Sequence, residues 1–325
     1  MFLKYFRSNN LSLFFVIPFI IILVWLPSLT SPFDLSNGNL SSGIFGRFFL
    51  SFASNYPVLS DIMAMAIIAV NGFLLVELNT RHFFIPGRGL IPALIYSLLS
   101  SAVPSLSILT PALTASIFFI LFLYRVLGTF RQEGLSYNYF DAGILLSLTS
   151  FFYLPAILFY PLLIISLIIL RPYVWREWAF AIAGLTVPYI FLFAFFYIGD
   201  VDLSLPVNNA KEALQLNGKS IMGPWLLIFL SYMAILILIA SGYMFRIIGG
   251  LKVHSRKFFI IFLLIFIISI LTYLLIPAAG AEIAYFMAIP VTFLISNYFM
   301  QCRQKWTNNL LLILFILAVF VLKYI

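Results

Sequence analysis

Long apolar runs broken by short polar stretches set the pattern of this chain. The runs Leu11 to Leu26, Trp225 to Phe245 and Phe258 to Ile276 approach or reach the roughly 20 residues that a helix needs to cross hydrocarbon. Strands of a membrane barrel would alternate polar and apolar residues, and these runs do not. The expected fold is therefore all-α, a polytopic transmembrane helical bundle. Eleven spans are expected, near residues 11–29, 57–77, 90–104, 109–127, 140–154, 156–170, 179–198, 224–244, 258–276, 283–300 and 308–323. The first run follows Lys4 and Arg7 as in a signal peptide, but no small-residue cleavage site succeeds it, so it is expected to stay as an anchor.

Spans three to six are the short ones. About fifteen residues each give about 22 Å at the helical rise, less than a hydrocarbon core of about 30 Å. Two helical hairpins are expected to turn at Pro104 with Pro111 and at Pro155 with Pro161, because proline disfavours helix in the residue before it. Two longer segments stand outside the spans. Residues 30–56 contain GIFGRFFLSF, whose phenylalanines around Arg47 predict a helix lying in the membrane interface. Residues 199–223 form the most polar loop, with a short helix expected around Asn209 to Leu216. No soluble domain or internal repeat is evident, so residues 1–325 read as a single integral-membrane domain.

Composition agrees with the pattern. Of the 325 residues 64% are hydrophobic and 9% charged, whereas a soluble domain is about a quarter charged. Membrane lipids are thus the expected surroundings. The net charge of +8 does not point to nucleic acid, since the basic residues are scattered over short loops. Their distribution carries topology instead. With the N-terminus in the cytoplasm, fourteen Lys and Arg fall on the inner side and four, Arg47, Lys211, Lys219 and Lys323, on the outer side, as the positive-inside rule requires. All five tryptophans, Trp25 among them, fall at expected span ends, where an amphipathic ring sits among headgroups. The stretch RPYVWREW, with Arg171, Arg176, Trp175 and Trp178, reads as an anchoring cytoplasmic turn between spans six and seven.

Several chemistries are absent. His82 and His254 are the two histidines, both placed in expected cytoplasmic loops, and Cys302 is the lone cysteine, so neither an HExxH nor a Cys/His zinc cluster exists. No GxxxxGK[ST] loop is present, direct ATP use is not expected, and no motif implies a cofactor or a metal. The acids are of more interest, because charge near hydrocarbon is costly. Asp34 follows the first span, Asp61 lies near the outer end of the second, Asp200 and Asp202 bracket the outer end of the seventh, and Glu282 precedes the tenth. One such carboxylate can act as a base toward an acceptor while others bind sugar hydroxyls or a metal. The structural alternative is that they are solvated loop acids or helix caps. Asp141 in YNYFDAG reads as a helix start. The 37 phenylalanines are expected to pack helices, with a groove for an isoprenoid chain as the alternative.

Taken together, RPYVWREW, LNTRHFFIPGRGLIPALIYSLLSS and FDAGILLSLTSFFYLPAILFYPLL resemble a multi-pass membrane family of Bacteroidetes known as a domain of unknown function. That resemblance implies a bacterial inner (cytoplasmic) membrane protein and transfers no catalytic residue. The arrangement of Asp34, the segment Gly43 to Phe52 and the short paired spans also resembles type C integral-membrane glycosyltransferases, which use polyprenyl-phosphate sugars. It departs from them in lacking a paired acidic motif at Asp34 and a large outer domain after the last span. The resemblance implies Asp34 as base, Asp61 as supporting acid, Arg47 as a contact to the polyprenyl phosphate, and Asp200, Asp202 and Glu282 as further substrate contacts. A lipid or small-solute transporter and a non-enzymatic assembly subunit are the rival expectations.

Overall fold

The computed structural model describes residues 12–30, 43–82, 85, 89–130, 136–170, 174–199, 211, 214, 223–302 and 305–324. Among these there are twelve α-helices and no strand: α1 (Ser12–Thr30), α2 (Gly46–Asn55), α3 (Pro57–His82), α4 (Ile91–Ala102), α5 (Pro111–Leu127), α6 (Ser136–Phe152), α7 (Tyr160–Leu170), α8 (Trp175–Ile198), α9 (Pro224–Ile247), α10 (Val253–Leu275), α11 (Ala284–Gln301) and α12 (Lys305–Tyr324). Each of the eleven expected apolar segments coincides with a helix, and α2 is the expected amphipathic helix around Arg47. Six helical segments, which correspond to α3, α8, α9, α10, α11 and α12, are long and apolar enough to cross a membrane.

Helix α2 shows why its sequence cannot sit wholly in protein or wholly in lipid. Phe49 and Phe52 pack toward the core and Ala53 is buried, while Phe48 is 69% exposed. Such a two-faced helix suits the boundary between headgroups and chains. Gly43, just before it, donates to the Phe152 carbonyl at 2.7 Å, and a Cβ there would lie 2.2 Å from the Phe151 oxygen. Glycine is therefore required for the segment to lie against the end of α6.

The short helices end where the prolines place them. Helix α4 has 12 residues, about 18 Å of rise, and gives way to a 3-10 turn at Pro104–Leu106. Thr110 then caps α5, accepting from the Leu113 N–H at 3.1 Å, and Pro111 takes the first helical position, where no N–H is needed. The second hairpin turns through a 3-10 segment at Leu154–Phe159 before α7. Much of each tip is buried, Leu106 to Thr110 in the first and Pro155, Ala156 and Phe159 in the second, so backbone groups there need partners inside the protein. Around the first tip the Leu106 carbonyl accepts from the Tyr285 hydroxyl at 2.9 Å and the Leu109 N–H donates to Ser60 Oγ at 3.2 Å.

Close approach between helices depends on small residues, since lipid offers no hydrophobic drive for helix association. A Cβ on Gly184 of α8 would meet the Phe140 carbonyl of α6 at 2.3 Å, and one on Gly143 would meet Gly184 itself at 2.7 Å. These two glycines let α6 and α8 touch backbone to backbone. Deeper in, Phe119, Phe159, Tyr153 and Phe286 form a ring cluster joining α5, the second tip and α11.

Four local expectations are corrected. Trp25 does not offer its ring to lipid headgroups but is fully buried in protein, its Nε1 donating to Ser101 Oγ at 2.9 Å. His82 and His254 are helical, the last residue of α3 and the second of α10. Asp141 lies inside α6 rather than at its start, and its Oδ2 faces Arg125 Nε at 3.5 Å. In RPYVWREW, α8 already begins at Trp175, so Arg176, Glu177 and Trp178 form its first turn, and residues 171–173 lie outside the described set.

Candidate functional site

At the end of the bundle where α3 begins, charge is held inside the protein. Asp61 lies just over one turn into α3 and is 2% exposed. Lys323, next to last in α12, is 9% exposed. Each feels the charge of the other, across a gap too wide for a direct ion pair. The lysine ammonium instead donates to Ser107 Oγ in the first hairpin tip and lies 5.1 Å from the Trp25 ring centroid. Trp25 is tied in turn to Ser101 of α4. First helix, last helix, α3 and the hairpin thus meet around one lysine.

The same tip links this centre to a second buried acid. Ser60, beside Asp61, accepts from the Leu109 backbone, and Tyr285 donates to Leu106. Tyr285 also has the Thr110 hydroxyl and the Glu282 carboxyl in its surroundings, and Glu282 is 1% exposed in the 3-10 turn that leads into α11. Residues 103–110 are therefore met by the neighbours of both acids, Ser60 beside Asp61 and Tyr285 near Glu282. Further along α3, Asn71 donates to Ser116 Oγ at 2.8 Å and to the Tyr96 hydroxyl at 3.3 Å, which continues the polar seam between α3, α4 and α5. Buried charge costs several kcal/mol per ion unless a partner or hydrogen bonds offset it, so this arrangement holds only as a set.

A separate apolar cavity of about 640 Å³ opens beside α2. Its walls are Ile44 and Phe45 ahead of α2, Leu148 and Phe151 of α6, and five residues of α8 from Pro188 to Phe196. On its rim Ser150, Tyr160 and Tyr189 bring three hydroxyls within 2.7 Å of one another. Phe151 stands edge-on to Tyr189, with ring centroids 4.9 Å apart, between the cavity and these hydroxyls.

Of the acids singled out in the sequence, the structure brings Asp61 and Glu282 to one end of the bundle, against the same hairpin tip. Asp34, Asp200 and Asp202 lie outside the described residues, as does the side chain of Arg47, whose backbone is in α2. The expected helix around Asn209 to Leu216 falls there too, apart from Lys211 and Leu214. No group of three or more His, Cys, Asp or Glu close enough to hold a metal occurs among the described residues. Lys323 is the residue that sequence reasoning passed over, counting it only as an outer basic residue. A lysine at the end of an apolar helix costs as much as an acid does near hydrocarbon, and that signal was available.

Long apolar helices around a buried charged centre, with short helices broken at a protein-enclosed tip, define a multi-pass α-helical membrane protein. Residues 43–325 match DUF6427, a family of unknown function, and the chain belongs to that family. No curated protein and no solved structure matches it.

Proposed function

We propose that this protein is a membrane glycosyltransferase that takes its sugar from a polyprenyl phosphate at the outer face of a bacterial inner membrane. The observation that carries the reading is the apolar cavity walled by Ile44 and Phe45, ten and eleven residues past Asp34 along the chain and at the same end of the bundle as the buried acids. A cavity of about 640 Å³ lined by phenylalanine and leucine suits an isoprenoid chain. It would hold the lipid beside α2, the helix that bears Arg47. In this reading Asp34 takes the proton from an acceptor hydroxyl as that oxygen bonds to the anomeric carbon, and the polyprenyl phosphate leaves with the electrons of the broken bond. Arg47 contacts the phosphate and Asp200 and Asp202 receive sugar hydroxyls, while Glu282, 1% exposed, lies too deep to meet substrate and supports the site from the hairpin tip. Asp61, enclosed and coupled to Lys323, supports the site by ordering the hairpin tip rather than by meeting substrate.

The test is Asp34→Asn expressed in a strain whose envelope glycans change when the gene is deleted. Loss of the wild-type glycan profile with normal protein level is the expected result; full restoration by Asp34→Asn removes the assigned base. A second reading, a transporter or flippase for a lipid or small solute, draws support from the two hairpins, because interrupted short helices mark binding elements in transporters. Movement of intact lipid-linked sugar across proteoliposomes, with no transfer to an acceptor, would select it.

A further inference from the structure

The far end of α3, about 30 Å from Asp61 at the helical rise, gathers basic groups from three helices. Arg81 and His82 close α3, Tyr124 and Arg125 stand at the end of α5, and His254 and Lys257 open α10. Two phenylalanines serve as the platform. The His254 ring lies 3.9 Å from Phe258 and 4.6 Å from Phe130, and His82 meets Phe258 edge-on at 5.5 Å, all between centroids. Lys257 Nζ sits 5.5 Å from the Phe130 centroid, and the two imidazoles are 5.9 Å apart. Arg81 is held beside them, its guanidinium 4.6 Å from the Tyr124 centroid and donating to the Tyr124 hydroxyl. His82 feels the charges of both His254 and Arg81.

Basic residues have been drawn together, and the local helix does not account for it. Arg81 and His82 suit the negative C-terminal end of α3, but α10 starts with Lys252, His254, Arg256 and Lys257 and has no acid in its first turn, where acids are the stabilising choice. On α3, α5 and α10 the one carboxylate at this end is Glu77, exposed and accepting from Thr80 at 3.3 Å. Asp141 of α6 is engaged by Arg125. Arg81 on the Tyr124 ring and Lys257 on the Phe130 ring are the two cations of this aromatic platform, and together they make a site for an anion.

We infer that this cluster binds the phosphate of an anionic membrane phospholipid. Its position selects a lipid rather than a soluble anion. Lys257 stands at the head of an exposed apolar row on α10, Ile260, Leu263 and Ile267, which follows it at spacings of three and four residues and so runs down the same face. A headgroup held by Arg81 and Lys257 lays its acyl chains along that row. The site is independent of the proposed glycosyl transfer, lying at the opposite end of the bundle.

The experiment uses the full chain in mild detergent, titrated with phosphatidylglycerol or phosphatidylcholine and read by native mass spectrometry. Phosphatidylglycerol is expected to bind more tightly than phosphatidylcholine, and Arg81→Gln or Lys257→Gln each to weaken it roughly fivefold, the effect of about one interfacial charge. Arg246→Gln removes an exposed cation of the same end outside the cluster and is expected to change binding less than twofold. Lys257→Gln, at a partly exposed position, carries the test should Arg81→Gln fail to fold. Equal binding of the two lipids, or an unchanged preference in Lys257→Gln, overturns the site. Displacement of phosphatidylglycerol by millimolar inorganic phosphate, itself retained on the protein, overturns the lipid assignment in favour of a free phosphate ligand.

Discussion

Replacing Lys323 with methionine keeps the length and most of the volume of the side chain while removing the one charge that faces Asp61 from α12. Three contacts go with it: the hydrogen bond to Ser107, the cation over the Trp25 ring, and the attraction to Asp61. A desolvated cation–π contact contributes about 2 kcal/mol. For charges more than 4 Å apart at an effective dielectric near 20, the attraction is at most about 4 kcal/mol. The carboxylate left behind is 2% exposed, and stripping a buried charge of its partner costs about 3–5 kcal/mol when the two are in direct contact. Asp61 and Lys323 are not in direct contact, so Lys323→Met is expected to destabilise by about 2–4 kcal/mol. Asp61→Asn with Lys323→Met removes both charges and is expected to recover part of that loss, giving a coupling of about 1–3 kcal/mol in a double-mutant cycle. Equilibrium unfolding of the four proteins in mixed micelles measures it. Additivity within about 0.5 kcal/mol would refute the claim that these residues form one electrostatic unit.

Other outcomes follow from equally specific contacts. Gly184→Ala drives a methyl into the Phe140 carbonyl, which cannot rotate aside, and is expected to cost about 1–3 kcal/mol. Gly242→Ala, with nothing within 4 Å, is expected to be neutral or to stabilise by up to about 1 kcal/mol, so equal effects in thermal unfolding would refute the close helix contact. Leu148→Trp fills the cavity beside α2, and loss of glycan product with unchanged protein level is the expected result in the deletion strain. Impermeant thiol reagents on intact spheroplasts of a Cys302→Ser protein should label a cysteine introduced at position 37 and not one at position 254, if the acids face outward; the reverse pattern would place them in the cytoplasm.

How much of this was readable in advance differs from element to element. The prolines gave both hairpin tips because they act on their own neighbours: Pro104 and Pro155 lie in the 3-10 turns and Pro111 opens α5. The amphipathic helix around Arg47 was equally local. Asp141 was misplaced since a carboxylate in an aromatic stretch looks alike as a cap or as a partner, and only packing brought Arg125 to it. Trp25 was misread for the same reason, its partner Ser101 being 76 residues away.

The sequence by itself determined the helical membrane class, the position of each helix and the places where short helices break, because those follow from hydrophobic run length and from backbone chemistry within a few residues. The tertiary structure alone decided that Lys323 answers Asp61, that Glu282 reaches the same hairpin tip, and that two histidines and a lysine share two phenylalanine rings. Such meetings join residues separated by up to hundreds of positions. They depend on how helices pack, which no local pattern of polar and apolar residues encodes.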